Sequence, residues 1–312
     1  MDIMLRKLIN AFGVSGNEKE VSNIIKKELN DFNYDIQEDS IENIIIKLGE
    51  PGSKFMICCN IDQIGFIVLD VEKNGLIKVK NIGHLDINDI KHSFVRFENG
   101  LIGKLICYDN EKIYIDIGIY NKEKVLENIK KGDIACLIGP SLNIGDNNVV
   151  SPNLENRIGC YILLEILKQI KNVNNKEVYF VFSTQGKLNA RGLKTAVHNI
   201  NPDYCIIVNL KEVKDFNDKV KLGCGPILRL LDKKLIMHEE VKEILEQSSK
   251  RLNIDLQYSI SNDIAEGAEV HKEMSGIKSG EVSIPCKYIN SASEMVSFKD
   301  IEDTIKLIKG IL

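Results

Sequence analysis

Polar residues able to do chemistry collect at five places where apolar runs stop. Cys59-Asn60-Ile61-Asp62-Gln63 closes one strand-like run and leads into another, and Ser151-Pro152-Asn153-Leu154-Glu155-Asn156-Arg157 precedes a long apolar stretch. Ser183-Thr184-Gln185-Gly186-Lys187 follows a third run, and Val208-Asn209-Leu210 and Tyr288-Ile289-Asn290-Ser291 complete the set. Their chemistry differs. Asp62 and Glu155 are carboxylates, Asn60, Asn209 and Asn290 offer only neutral amide oxygens as acceptors, and Lys187 carries a donor-only ammonium. Taken singly, Asp62 reads as a turn acid and Glu155 as an acid favoured by the positive end of a helix. Only the elements that carry these residues can bring them together.

Those elements follow from apolar spacing. Residues 2–12 and 17–31 show helical periodicity, with Leu5, Leu8 and Ile9 in the first and Val21, Ile24, Ile25 and Leu29 in the second. Asn43 to Leu48 and Lys54 to Asn60 read as strands, the second apolar enough to be buried on both faces. From about Leu69 to Val149 the texture changes to short strands separated by Gly, Asn and Asp turns, with a single helix expected at Lys122 to Lys130. Helix and strand then alternate: helices at Arg157 to Ile170, Ala190 to His198, Glu239 to Arg251 and Phe298 to Leu312, and strands at Glu177 to Ser183, Tyr204 to Asn209, Asp255 to Tyr258 and Lys278 to Ile284. Alternation of this kind predicts an α/β/α sandwich with a largely parallel centre. The expected organisation is a discontinuous α/β domain, residues 1–68 and 150–312, interrupted by a small β module at 69–149. Loops at the ends of such strands converge, so the five polar segments are expected to share one site.

Composition narrows the functions. In 312 residues, 45 acids against 41 Lys and Arg give a net charge of −4, which argues against nucleic acid, since phosphate binding needs clustered excess base. Met1 to Lys7 lacks the apolar run of a signal peptide, and no window approaches the roughly 20 apolar residues of a membrane helix. A cytoplasmic protein with no membrane partner is expected, its eight cysteines buried as thiols. The histidines at 84, 92, 198, 238 and 271 lie in separate segments, outside the five polar ones.

With Phe12-Gly13-Val14-Ser15-Gly16, Leu222 to Pro226, Ser279-Gly280 and Pro285 added, the five segments resemble the tetrahedral binuclear zinc metallo-aminopeptidases, the family of glutamyl aminopeptidase and relatives labelled endoglucanases. The resemblance runs nearly end to end. It implies a zinc-exopeptidase-like fold with an inserted β-barrel (PDZ-like) module mediating dimer contacts, two zinc or cobalt ions, and assembly into a particle of twelve subunits. It also implies that Asn60 stands where the family has a His ligand, Glu155 at the bridging Asp, Lys187 at a Glu ligand, Asn209 at an Asp ligand and Asn290 at the second His. Asp62 matches the carboxylate that steers the first His, and Gly186 marks the place of the general base.

On that correspondence the expected chemistry is that of a lost metal centre. Amide oxygens are weaker donors than imidazole or carboxylate, and an ammonium at 187 places positive charge where a divalent ion would sit. Without a base at 186, hydrolysis loses about 10²- to 10⁴-fold by that change alone. The implied reading is a non-catalytic member of the family, without metal cofactor, forming a homo-oligomer and binding a peptide, a small molecule or an active paralogue. Two alternatives stand beside it: an active hydrolase with a rearranged set such as Asp62, Glu155 and one Cys, and a structural subunit that co-assembles with active homologues. In the lost-metal reading, Lys187 pairs with Asp62 or Glu155.

Overall fold

The computed structural model describes residues 1–32, 34–170, 173, 175–214, 219–261 and 269–312. In chain order the elements are α1 (Ile3–Asn10), α2 (Lys19–Leu29), β1 (Ile36–Glu38), β2 (Ile44–Gly49), β3 (Ser53–Asn60), β4 (Gly65–Val71), β5 (Ile77–Ile82), α3 (Ile87–Ile90), β6 (Phe94–Phe97), β7 (Ile102–Asp109), β8 (Lys112–Asp116), α4 (Lys122–Leu126) and β9 (Ile134–Ile138). There follow β10 (Leu142–Ile144), β11 (Asn148–Ser151), α5 (Leu154–Gln169), β12 (Lys176–Ser183), α6 (Arg191–Ile200), β13 (Tyr204–Glu212), β14 (Ile227–Leu231), α7 (Glu239–Leu252), β15 (Gln257–Ile260), β16 (Lys278–Lys287), β17 (Glu294–Ser297) and α8 (Phe298–Lys309).

A mixed sheet of order β1-β2-β12-β3-β13-β16-β17-β11-β10 forms the larger domain, with β14 and β15 branching from β16. Its centre, β12-β3-β13-β16, is parallel, and the flanking strands are antiparallel. Parallel strands need both faces covered, and β3 shows how the sequence meets that need. Phe55, Ile57 and Cys59 enter the core built with α1, α2, α5 and α8, while Met56 and Cys58 face the core under α6. The mixed α/β architecture with helices on both faces is the one the alternation predicts.

The β module is a closed antiparallel barrel, β4-β5-β8-β7-β6-β9, filled by residues such as Phe66, Val79, Val95, Phe97, Leu105 and Ile115. Closure leaves its strands without free edges. The barrel is shorter and earlier than the segment 69–149 expected from texture. Gly65 already pairs with Ile82 and Cys136, so β4 belongs wholly to the barrel, whereas Leu142–Ser151 returns to the large sheet through β11 and β17. The expected boundary at 69 cut through one continuous apolar run. As a result, residues 61–64, with Asp62 among them, are the link between sheet and barrel.

Three smaller corrections concern local signals. The helix expected at Lys122 to Lys130 ends at Leu126, started by Asn121, whose side chain accepts the Lys124 N–H at 2.9 Å. Helix α5 begins before Arg157, but Glu155 (φ −53°, ψ 133°) and Asn156 (φ 68°, ψ −39°) are not helical, so its first turn is a kink. Of the eight cysteines, all free, seven are buried and Cys224 is exposed. No helix among the described residues is long and apolar enough to cross a membrane.

Candidate functional site

The C-terminal ends of the parallel strands bring most of the expected residues into one network. Asn60 ends β3, Gly186 and Lys187 follow β12, Asn209 lies near the end of β13, Asn290 sits in the turn between β16 and β17, and Glu155 opens α5. The Lys187 amine meets the Glu155 carboxylate at 2.6 Å, with both side chains largely buried. Of the two expected partners it takes Glu155, while Asp62 is reached by the Lys187 backbone N–H at 2.8 Å. The stem of Lys187 passes over Gly83 in the barrel, so this one side chain spans barrel and α5.

Asp62 is fully buried. Its Oδ2 accepts from the Ser15 hydroxyl and the Lys187 N–H, and Oδ1 has no protein partner among the described residues. Burial pushes its pKa up, opposed by Lys187, Ser15 and Arg157. The Asp62 carbonyl accepts from Asn156 Nδ2 at 2.8 Å. That contact accounts for the kink at 156: the left-handed backbone of an Asn lets its amide tie α5 to the loop. Arg157 is a structural tie. Its buried guanidinium donates to the carbonyls of Leu8 (3.0 Å) and Ile61 and to Gln63 Oε1.

Two further acids belong to the network. Glu294 accepts the Glu155 N–H at 2.8 Å and the Asn290 N–H at 2.7 Å. Burial first, then the neighbouring Glu155 charge, raise its pKa to about 8. Glu18, beside the start of α2, accepts the Gln185 N–H at 2.8 Å, and burial raises its pKa to about 7 despite three backbone donors. Sequence reasoning used Ser15 within the opening motif of the resemblance and did not single out Glu18. The acid three residues after Ser15 was the available signal, and nothing local joins it to residue 185.

The amide positions are less tightly engaged. Asn60 Oδ1 accepts the Ser183 hydroxyl at 2.6 Å, but Nδ2 has no protein partner among the described residues, nor does Asn290 Oδ1. Asn209 Oδ1 turns back to the N–H of Leu210 at 2.8 Å. The register Ile207↔Cys58 puts Asn209 level with Asn60 on the adjoining strand, yet its side chain stays on its own residue pair. Cys58 and Cys59 lie in different cores, near Cys205 and Cys160 respectively. Among the described residues no group of three or more His, Cys, Asp or Glu converges as a metal ion requires.

A parallel-centred α/β sheet with a barrel inserted at its site-forming end is the build of a metallo-aminopeptidase. Residues 42–307 match the family model described as M42 glutamyl aminopeptidase. The chain belongs to that family. It is 34% identical, over 98% of its length and 96% of the relative's, to a protein of Acetivibrio thermocellus provisionally described as an aminopeptidase. It is 25% identical, over 99% of its length and 96% of the relative's, to the lysyl aminopeptidase of Pyrococcus furiosus. Among solved structures it superposes on an aminopeptidase of Desulfurococcus kamchatkensis with a TM-score of 0.93 at 24% identity, covering 98% of this chain and 92% of the other. The TET1 peptidase of Pyrococcus horikoshii, which can assemble into a tetrahedron or a large octahedral shell, gives 0.90 at 24% identity over 99% and 98%.

Proposed function

We propose that this chain keeps the aminopeptidase scaffold without a working metal centre and serves by binding or assembly. The observation that carries the reading is the 2.6 Å ion pair between Lys187 and Glu155. Two of the positions that would hold ions are joined to each other, one by a cation. The donors present do not fit a pair of zinc or cobalt ions: Asn60, Asn209 and Asn290 are neutral amides, and the Lys187 ammonium has no lone pair to give. The position of the general base is Gly186, which has no side chain to accept a proton. An internal ammonium would take over part of the charge balance that metal ions provide among Asp62, Glu155 and Glu294.

The names of the relatives favour a second reading, an active metal-dependent aminopeptidase that uses Asp62, Glu155 and Glu294 in a changed arrangement. A panel of aminoacyl chromogenic substrates, with zinc or cobalt supplied and with a chelator as control, separates the two. Background rates in every arm are expected. Turnover that the chelator abolishes would replace the first reading with the second.

Assembly is proposed as homo-oligomeric, as the shell of the Pyrococcus horikoshii peptidase suggests. The barrel exposes Phe94, Ile102 and Tyr108, apolar surface of the kind that contacts between copies use. Native mass spectrometry is expected to give multiples of the chain mass, and a monomer at micromolar concentration would remove the proposal.

A further inference from the structure

Gly186 has a structural reason to be glycine that is separate from the loss of a base. Its backbone does not lie in the left-handed region, so its own conformation would accept a side chain. The surroundings would not. A Cβ on residue 186 would overlap Cγ and Nδ2 of Asn60 and come within 2.8 Å of Asp62 Oδ1. Neither neighbour can swing aside freely. The Asn60 amide is held by the Ser183 hydroxyl at 2.6 Å, and its backbone is paired with Ser183 across β3 and β12. Asp62 is held by Ser15 and by the N–H of Lys187, the residue next to Gly186.

We infer that Asn60 is a positioning residue for the turn after β12: its amide fills the space in which any side chain at 186 begins, so positions 60 and 186 form one steric unit. In this chain a carboxylate at 186 needs the Asn60 amide shortened or turned away from its present position. The two positions are 126 residues apart and lie on neighbouring strands' ends, so the dependence is carried by packing alone. The inference takes from the proposed function only the identity of 186 as the place of the base. Its test reads unfolding, so it can fail while the metal and activity assays succeed, and the reverse.

The test is a double-mutant cycle on the full chain, read by thermal unfolding. Gly186→Ala is expected to lower the midpoint by about 2 °C or more, as overpacking does. Added to Asn60→Ala, the same change is expected to cost less than half as much, the remainder coming from Asp62 Oδ1. Gly186→Glu supplies a second measurement, since its folded, soluble yield is expected to rise when Asn60→Ala is added. An equal midpoint loss for Gly186→Ala in both backgrounds, or none in the native one, overturns the inference. So does a Gly186→Glu yield that Asn60→Ala leaves unchanged.

Discussion

The two halves of the site are built to different standards. Around Asp62, the Ser15 hydroxyl, the Lys187 N–H, the Asn156 amide and the Arg157 guanidinium bind the loop between sheet and barrel from several sides. Around Asn60 and Asn209 each side chain makes one bond, the latter only to the adjacent residue, and Asn60 Nδ2 and Asn290 Oδ1 have no protein partner among the described residues. The first half fastens the link between the barrel and the sheet. The second is where the family resemblance puts donors to metal. The fastening and the positions that the resemblance assigns to metal therefore fall on neighbouring residues, and the Lys187–Glu155 pair joins them.

Substitutions can break or sharpen that contrast, the largest effect first. Arg157→Ala strands the carbonyls of Leu8 and Ile61 and leaves a void, and is expected to cost about 3 kcal/mol or more in urea unfolding. A loss near zero would mean that the Asp62 half is not the fastening. Lys187→Met leaves the Glu155 carboxylate beside Glu294 without its cation and should cost about 1 to 3 kcal/mol, part of which Glu155→Gln restores in the double variant. Additive losses would mean that the pair is not coupled.

The pH dependence has a definite sign. Glu294 is raised from 4.5 to about 8 and Glu18 from 4.5 to about 7, so between those values the folded protein holds protons that the unfolded chain has released. These two groups make stability fall as pH rises from about 4.5 to about 8. Glu294→Gln is expected to reduce the slope of the profile, most of all near its alkaline end at about pH 8, where Glu18 is past its midpoint, and an unchanged slope there would remove Glu294 as its source. The smallest effect is assigned to Asn209→Ala, under about 1 kcal/mol, because its side chain bonds only the next residue's N–H. A larger loss would place Asn209 in the fastening half.

Legibility in the sequence followed the range of the forces involved. The parallel centre could be read because strands such as Phe55 to Cys59 are apolar on both faces, and α1, α2 and α8 because their spacing is helical. The barrel limits could not be read from texture: Gly65 to Val71 resembles a sheet strand until its partners Ile82 and Cys136 are known. The kink at Glu155 and Asn156 also escaped, since it depends on the Asp62 carbonyl far along the chain. The expected site positions could be listed from the family pattern, but Glu18 and the packing of Asn60 against Gly186 could not, because both arise from contacts across more than 100 residues.

The central claim is that three amides and an ammonium leave too few donors for a pair of divalent ions. Its most direct test is the zinc and cobalt content of the purified chain after equilibration with each metal and desalting, measured by plasma mass spectrometry. The account predicts no stoichiometric metal in either case. Two tightly retained ions per chain would contradict it.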